Sequence, residues 1–71
     1  DFDFRSFSTA LIEAMQKPDD WEFFSSVYGR VIKKHPEFKM KRAASFLGKC
    51  GQWIETSISS EGHPIIRRRS N

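Results

Sequence analysis

Three side chains have the chemistry for nucleophilic or metal-binding work, namely the single cysteine Cys50 and the histidines His35 and His63. A Cys/His pair activates a thiolate only when a third group orients the imidazole, and both histidines instead precede prolines in turn-like sequence. One cysteine and two histidines also fall short of the four ligands of a structural zinc site. We expect no enzyme activity, no metal and no cofactor, with Cys50 a buried small residue.

Three carboxylates lie close together at Asp19, Asp20 and Glu22, as they would in a hydrolase. However, an acid followed three residues later by a glutamate is typical of a capping box, in which each side chain accepts from a free backbone N–H at a helix start. This spacing predicts the beginning of a helix.

Charge is divided unequally along the chain. Residues 1–29 hold six acids and two bases, a net charge of −4, whereas residues 30–71 hold ten bases and three acids, a net charge of +7. Seven of these bases fall near the end of one predicted helix and the start of the next, so they are expected to form one corner that attracts phosphate. The predicted nucleic-acid-binding residues of this corner are Arg30, Lys33, Lys34, Lys39, Lys41, Arg42 and Lys49.

A run of three arginines, Arg67, Arg68 and Arg69, follows the last apolar residues. We interpret residues 67–71 as a basic, mobile tail beside a helical domain of residues 1–66. Such a tail could add a flexible arm to the same nucleic-acid contact.

The aromatic residues favour an alternative to nucleic-acid binding, namely interaction with a protein. Ten aromatics are more than a small helical core easily hides, and Phe23 and Phe46 lie off the main apolar stripes. Exposed rings can stack on unpaired bases or anchor a partner protein in a groove. The residues predicted for protein interaction are Phe23, Phe46 and Trp53.

Two serines lie in sequences of the kind that basophilic kinases modify. Ser45 has Arg42 three residues before it, and Ser70 follows the three arginines directly. A phosphate on such a serine would cancel part of the neighbouring positive charge and weaken binding to a polyanion.

The elements that must position these residues are predicted to be helices. Ser6 or Ser8 can cap a first helix that stops before Pro18, and the capping box opens a second helix that Pro36 ends. Gly29 within the second helix predicts a close approach of another helix. Residues 37–59 keep helical spacing, either as one helix or, as we slightly favour, as two helices separated at Gly48–Gly51.

The sequence therefore predicts an all-α fold, a compact bundle of three or four short helices followed by the basic tail. A chain of 71 residues has little core to spare, so the aromatic and aliphatic residues must supply it. The expected core consists of Phe7, Leu11, Trp21, Phe24, Tyr28, Val31, Leu47 and Ile54.

The function predicted first is a non-catalytic module that binds nucleic acid, DNA or RNA, through the basic corner. The alternative is a protein interaction or oligomerisation module that uses exposed aromatics, with a partner protein or a second copy as the ligand. We expect no membrane contact and no small-molecule substrate. The lone cysteine favours a reducing compartment inside the cell, nucleus or cytoplasm.

Overall fold

The computed structural model describes residues 2–70. Along the chain it contains α1 (Phe4–Ala14), β1 (Glu22–Phe23), α2 (Phe24–Lys34), a first 3-10 helix (Pro36–Phe38), a second 3-10 helix (Ala43–Cys50), β2 (Ile54–Ile58) and β3 (Pro64–Arg68). The three strands form an antiparallel sheet in the order β1-β3-β2. The all-α prediction is therefore wrong, and the fold is mixed α/β.

Helix α1 begins one turn earlier than predicted. Its N-cap is Asp3, whose carboxylate accepts from the backbone N–H of Ser6 at 3.0 Å and from the Ser6 hydroxyl at 2.7 Å. These donors lower the pKa of Asp3 below its ordinary value, because they stabilise the charged form. The two expected caps, Ser6 and Ser8, instead lie within the helix, and Ser8 is buried there.

Helix α2 exists as predicted, but it begins at Phe24 and not at the capping box. Glu22 pairs with Ile66 of β3, and its carboxylate accepts from the backbone N–H of Gln16 at 3.0 Å. The acid thus closes the turn after α1 in place of capping α2. The helix ends at Lys34, just before Pro36, as the proline predicts.

The main error of the sequence analysis is the prediction of further α-helix over residues 37–59. Helical turns in this region are of the 3-10 type and end at Cys50, and residues 54–58 and 64–68 form a β-hairpin. The turn between the two strands contains Gly62, which adopts a left-handed φ of 88° that glycine tolerates best. The helical spacing of Ile54 and Ile58 is equally consistent with the period of two in a strand.

The core lies between the helices and one face of the sheet. Six of the eight predicted core residues are buried, whereas Tyr28 is half-buried and Trp21 is 40% exposed. The expected close approach of another helix at Gly29 is also wrong, because a Cβ added there would meet no atom of another element within 4 Å. The buried hydrophobic residues are Phe7, Ala10, Leu11, Met15, Phe24, Val27, Val31, Ala43, Leu47, Cys50, Ile54 and Ile66.

Candidate nucleic-acid interface

The link between α2 and the second 3-10 helix is fixed by one tyrosine. The Tyr28 hydroxyl donates to the carbonyl oxygen of Phe38 at 2.8 Å and accepts from the backbone N–H of Met40 at 2.8 Å. The Phe38 ring packs against Phe7 in the core at 5.4 Å between ring centroids. Phe38 and Met40 are therefore half-buried, and Lys39 between them is exposed.

Arg42 completes this link with an unusual backbone. It is the N-cap of the second 3-10 helix and has φ 56° and ψ 43°, the left-handed region that glycine or asparagine normally occupies. Such a conformation costs a non-glycine residue about 1–2 kcal/mol. An arginine at this position thus brings charge to the surface at some expense of stability.

We define the basic segment as residues 33–49. It carries six bases and one acid, a net charge of +5. All six cations are exposed, and none forms an ion pair with another residue in the described range 2–70. The acid, Glu37, lies 3.5 Å from the Nδ1 atom of His35. These six cations are Lys33, Lys34, Lys39, Lys41, Arg42 and Lys49.

Two of the six have a structural role as well. Lys33 and Lys34 lie in the last turn of α2, where cations interact favourably with the negative end of the helix dipole. Their charge is partly offset there, so the more available positive charge is that of Lys39, Lys41 and Arg42.

Arg30, the seventh predicted member of the corner, is used inside the fold. Its guanidinium donates to the carbonyl oxygen of Ala14 at 2.8 Å and pairs with Glu22 at 2.9 Å. It ties α1, β1 and α2 together. The structure therefore does not support its assignment to a free basic surface.

The three C-terminal arginines are also engaged, and the mobile tail predicted for them is wrong. Arg67 and Arg68 belong to β3, where they pair with Glu55 at 2.6 Å and with Asp19 at 2.8 Å. Arg69 donates to the carbonyl oxygen of Gly51 at 2.6 Å. The strand position of residues 67–68 explains the error, because arginine with a long apolar stem suits an exposed strand.

The aromatic residues predicted to contact a protein differ in their exposure to solvent. Phe23 is 47% exposed, as that prediction requires. Phe46 stacks on Phe2 with 5.3 Å between ring centroids, and Trp53 packs against the core, so both are half-buried.

Sequence reasoning missed Trp21. The sequence predicts it in the core, but it lies on the surface, with the Arg67 guanidinium 4.4 Å from its ring centroid. Residues directly opposite in an antiparallel sheet share a face, so Phe23 and its partner Ile65 lie on the sheet face away from Ile66 and the core. Trp21 directly precedes β1 and alternates with Phe23, and this alternation was the signal that could have revealed the face.

The cysteine considered for catalysis lies in the hydrophobic core. Cys50 is fully buried, and burial raises the pKa of its thiol, which disfavours the reactive thiolate. Within residues 2–70, no group of three or more His, Cys, Asp or Glu side chains is arranged to hold a metal ion. In the same range, no helix has the length and apolar character needed to cross a membrane.

The fold and surface together define the class of molecule, a small mixed α/β domain with an uncovered sheet face and a basic segment whose cations form no ion pair within residues 2–70. Comparison with known proteins adds no further assignment, because no protein-family model, no curated protein and no solved structure matches the chain.

Proposed function

We propose that this domain is a non-catalytic module that binds nucleic acid through the basic segment. The observation that carries the proposal is the difference in ion pairing among its cations. The six bases of the basic segment are exposed and unpaired within residues 2–70, whereas Arg30 and Arg67–Arg69 are held by carboxylates or carbonyls.

The fixed backbone of this segment supports the proposal. A polyanion is bound more tightly when its cationic partners are already ordered, because less conformational entropy is lost on binding. Tyr28 holds the backbone on both sides of Lys39 through Phe38 and Met40. The left-handed Arg42 adds a cation where glycine would be less strained.

The salt dependence of binding tests the proposal. If all six cations contact phosphates, the logarithm of the association constant falls with the logarithm of salt concentration with a slope of about −5 for duplex DNA and about −4 for a single strand. Binding to a labelled generic duplex and a generic single strand is measured by fluorescence anisotropy at 50 and 200 mM salt. Duplex affinity is expected to fall by about 10³-fold over this range.

Reversing the charge of residues in the basic segment tests whether this segment contacts the nucleic acid. Lys41→Glu/Arg42→Glu is expected to remove measurable binding at 200 mM salt and to leave the circular dichroism spectrum unchanged. Lys17→Glu is the matched control for Lys41→Glu, because Lys17 is also exposed but lies outside the basic segment. Equal losses from Lys17→Glu and Lys41→Glu would contradict the proposal, since they would reveal a general charge effect.

A second candidate function, binding a partner protein or a second copy of the chain, is favoured by the uncovered sheet face. Trp21 and Phe23 are both exposed there, and rings of this kind anchor protein interfaces. Phe23→Ala separates the two candidates. It should leave salt-dependent binding to nucleic acid unchanged if the basic segment is the interface, and should weaken a salt-insensitive association if the sheet face is.

A further inference from the structure

Two serines have arginine at the positions that basophilic kinases select. The arginines before them differ in whether they are already held by other residues. Arg42, three residues before Ser45, is exposed and has no ion pair within residues 2–70. The arginines before Ser70 are held by Glu55, Asp19 and the Gly51 carbonyl. A kinase would have to break these contacts before it could bind the arginines that precede Ser70.

Ser45 itself lies open on the surface. Its hydroxyl donates to the carbonyl oxygen of Arg42 at 2.7 Å, and its backbone N–H donates to the same oxygen at 2.9 Å. Modification of the hydroxyl therefore leaves that carbonyl with a hydrogen-bond donor. No buried partner is lost.

The local opening that a kinase requires is confined to the first turn of the second 3-10 helix, after the link that Tyr28 holds at Phe38 and Met40. A kinase binds its acceptor segment in an extended form, and Ser45 lies in a 3-10 helix of eight residues. Runs of this length are uncommon because 3-10 hydrogen bonds have poorer geometry than those of an α-helix. The strained Arg42 lies at its start, so opening of the first turn releases an unfavourable conformation.

We propose that Ser45 is a phosphorylation site and that its phosphate switches the basic segment off; the second half of this inference rests on the proposed function. A basophilic serine kinase transfers the γ-phosphoryl group of ATP to the Ser45 Oγ atom. The Oγ–P bond forms, the bond from the γ-phosphorus to the bridging oxygen breaks, ADP leaves, and the hydroxyl proton is released.

Phosphorylation of Ser45 would change the net charge of the basic segment substantially. A phosphoserine carries a charge of about −1.5 to −2 at pH 7, so the net charge of the basic segment falls from +5 to about +3. The phosphate can pair with Arg42, which lies three residues before Ser45 and is exposed. Cations paired in this way no longer release counterions when they meet nucleic acid.

The acceptor is tested on the folded chain with ATP and a purified serine kinase that selects arginine three residues before the serine. Ser70→Ala leaves only the Ser45 pattern, and Ser45→Ala leaves only the Ser70 pattern. Mass spectrometry is expected to show phosphate on Ser45, formed about tenfold faster than on Ser70, because the surface contacts of Arg67–Arg69 must be broken first. Incorporation at Ser70 alone, or at neither serine, would overturn the assignment.

The switch is tested on the phosphorylated Ser70→Ala protein. At 100 mM salt, its affinity for generic duplex DNA should fall by about tenfold or more, and its salt slope should shrink by about 2. Unchanged affinity, while Lys41→Glu/Arg42→Glu still abolishes binding, would refute the switch. If neither form binds nucleic acid, the proposed function fails and the switch with it, and the incorporation assay still decides the acceptor site.

Discussion

The basic segment and the C-terminal arginines are both rich in positive charge, but they differ in whether their cations are paired within residues 2–70. In β3, Arg67 lies between Glu55 and the Trp21 ring, and Arg68 holds Asp19. These cations join the strands to each other and to the turn after α1. In the basic segment, Lys39, Lys41 and Arg42 contact no carboxylate of residues 2–70.

The difference teaches that a count of positive charges does not locate a binding surface. Exposed cations whose charge is already neutralised by a carboxylate gain less from a phosphate, because the existing pair must first be broken. Substitutions in the two regions should therefore have different effects. Changes in β3 should act on stability, and changes in the basic segment should act on binding.

Among the substitutions that test this difference between the two regions, Tyr28→Phe is expected to change stability the most. Removing the hydroxyl leaves the half-buried Phe38 carbonyl and Met40 N–H without their partner, at a cost of about 1–2 kcal/mol. Thermal unfolding should show the lower stability, and anisotropy titration should show weaker binding because Lys39 is less well fixed. Full affinity with reduced stability would mean that the backbone anchor is irrelevant to binding.

Much of the helical part of this fold was predictable from local signals. Pro18 and Pro36 mark where α1 and α2 must stop, and Phe7, Leu11, Phe24 and Val31 recur at helical spacing and are buried. In these segments, local preference and tertiary packing agree, so the sequence pattern is a reliable guide.

The sheet was not predictable in the same way. Strand β1 has only two residues, and its pairing with Ile65 and Ile66 joins segments more than forty residues apart. Nothing local in Glu22 and Phe23 reveals that partner, and their capping-box pattern favours a helix. Non-local pairing therefore overrode a local signal.

For the candidate site, the sequence gives the positions of the cations but not their ion pairing. The clustering of lysines around Pro36 could be read directly from the sequence. The pairing of Arg30 and Arg67–Arg69 could not, because Glu22, Asp19 and Glu55 reach these arginines only after the chain has folded.

A smaller and opposite effect is expected from Arg42→Gly. Glycine adopts the left-handed conformation without strain, so the substitution should raise the free energy of unfolding by up to about 1 kcal/mol. It also removes a cation from the basic segment, so the affinity for duplex DNA should fall and the salt slope should shrink by about 1. Calorimetry and anisotropy titration on one preparation would reveal whether stability and binding move in opposite directions.

Arg42→Lys is the control for this substitution, because it keeps both the charge and the strained backbone. Its affinity and melting temperature should remain close to those of the unmodified chain. Lower affinity in Arg42→Lys than in Arg42→Gly would contradict a simple charge contribution.

The smallest effect comes from a pair of matched neutralisations, Arg67→Gln and Lys41→Gln, each of which removes one positive charge. Arg67→Gln loses the contacts with Glu55 and Trp21 and should reduce stability by about 0.5–1 kcal/mol, because exposed ion pairs and cation–π contacts are individually weak. Lys41→Gln should leave stability unchanged, because Lys41 is exposed and has no ion pair within residues 2–70.

Binding should reverse this order. Lys41→Gln removes one phosphate contact and reduces the salt slope by about 1, whereas Arg67→Gln leaves the slope unchanged because its charge is neutralised by Glu55 before any ligand arrives. Urea unfolding and anisotropy titration of the two variants measure both quantities. If Arg67→Gln lowered the slope as much as Lys41→Gln, the ion pair in β3 would have to open on binding, and the two regions would form one continuous interface.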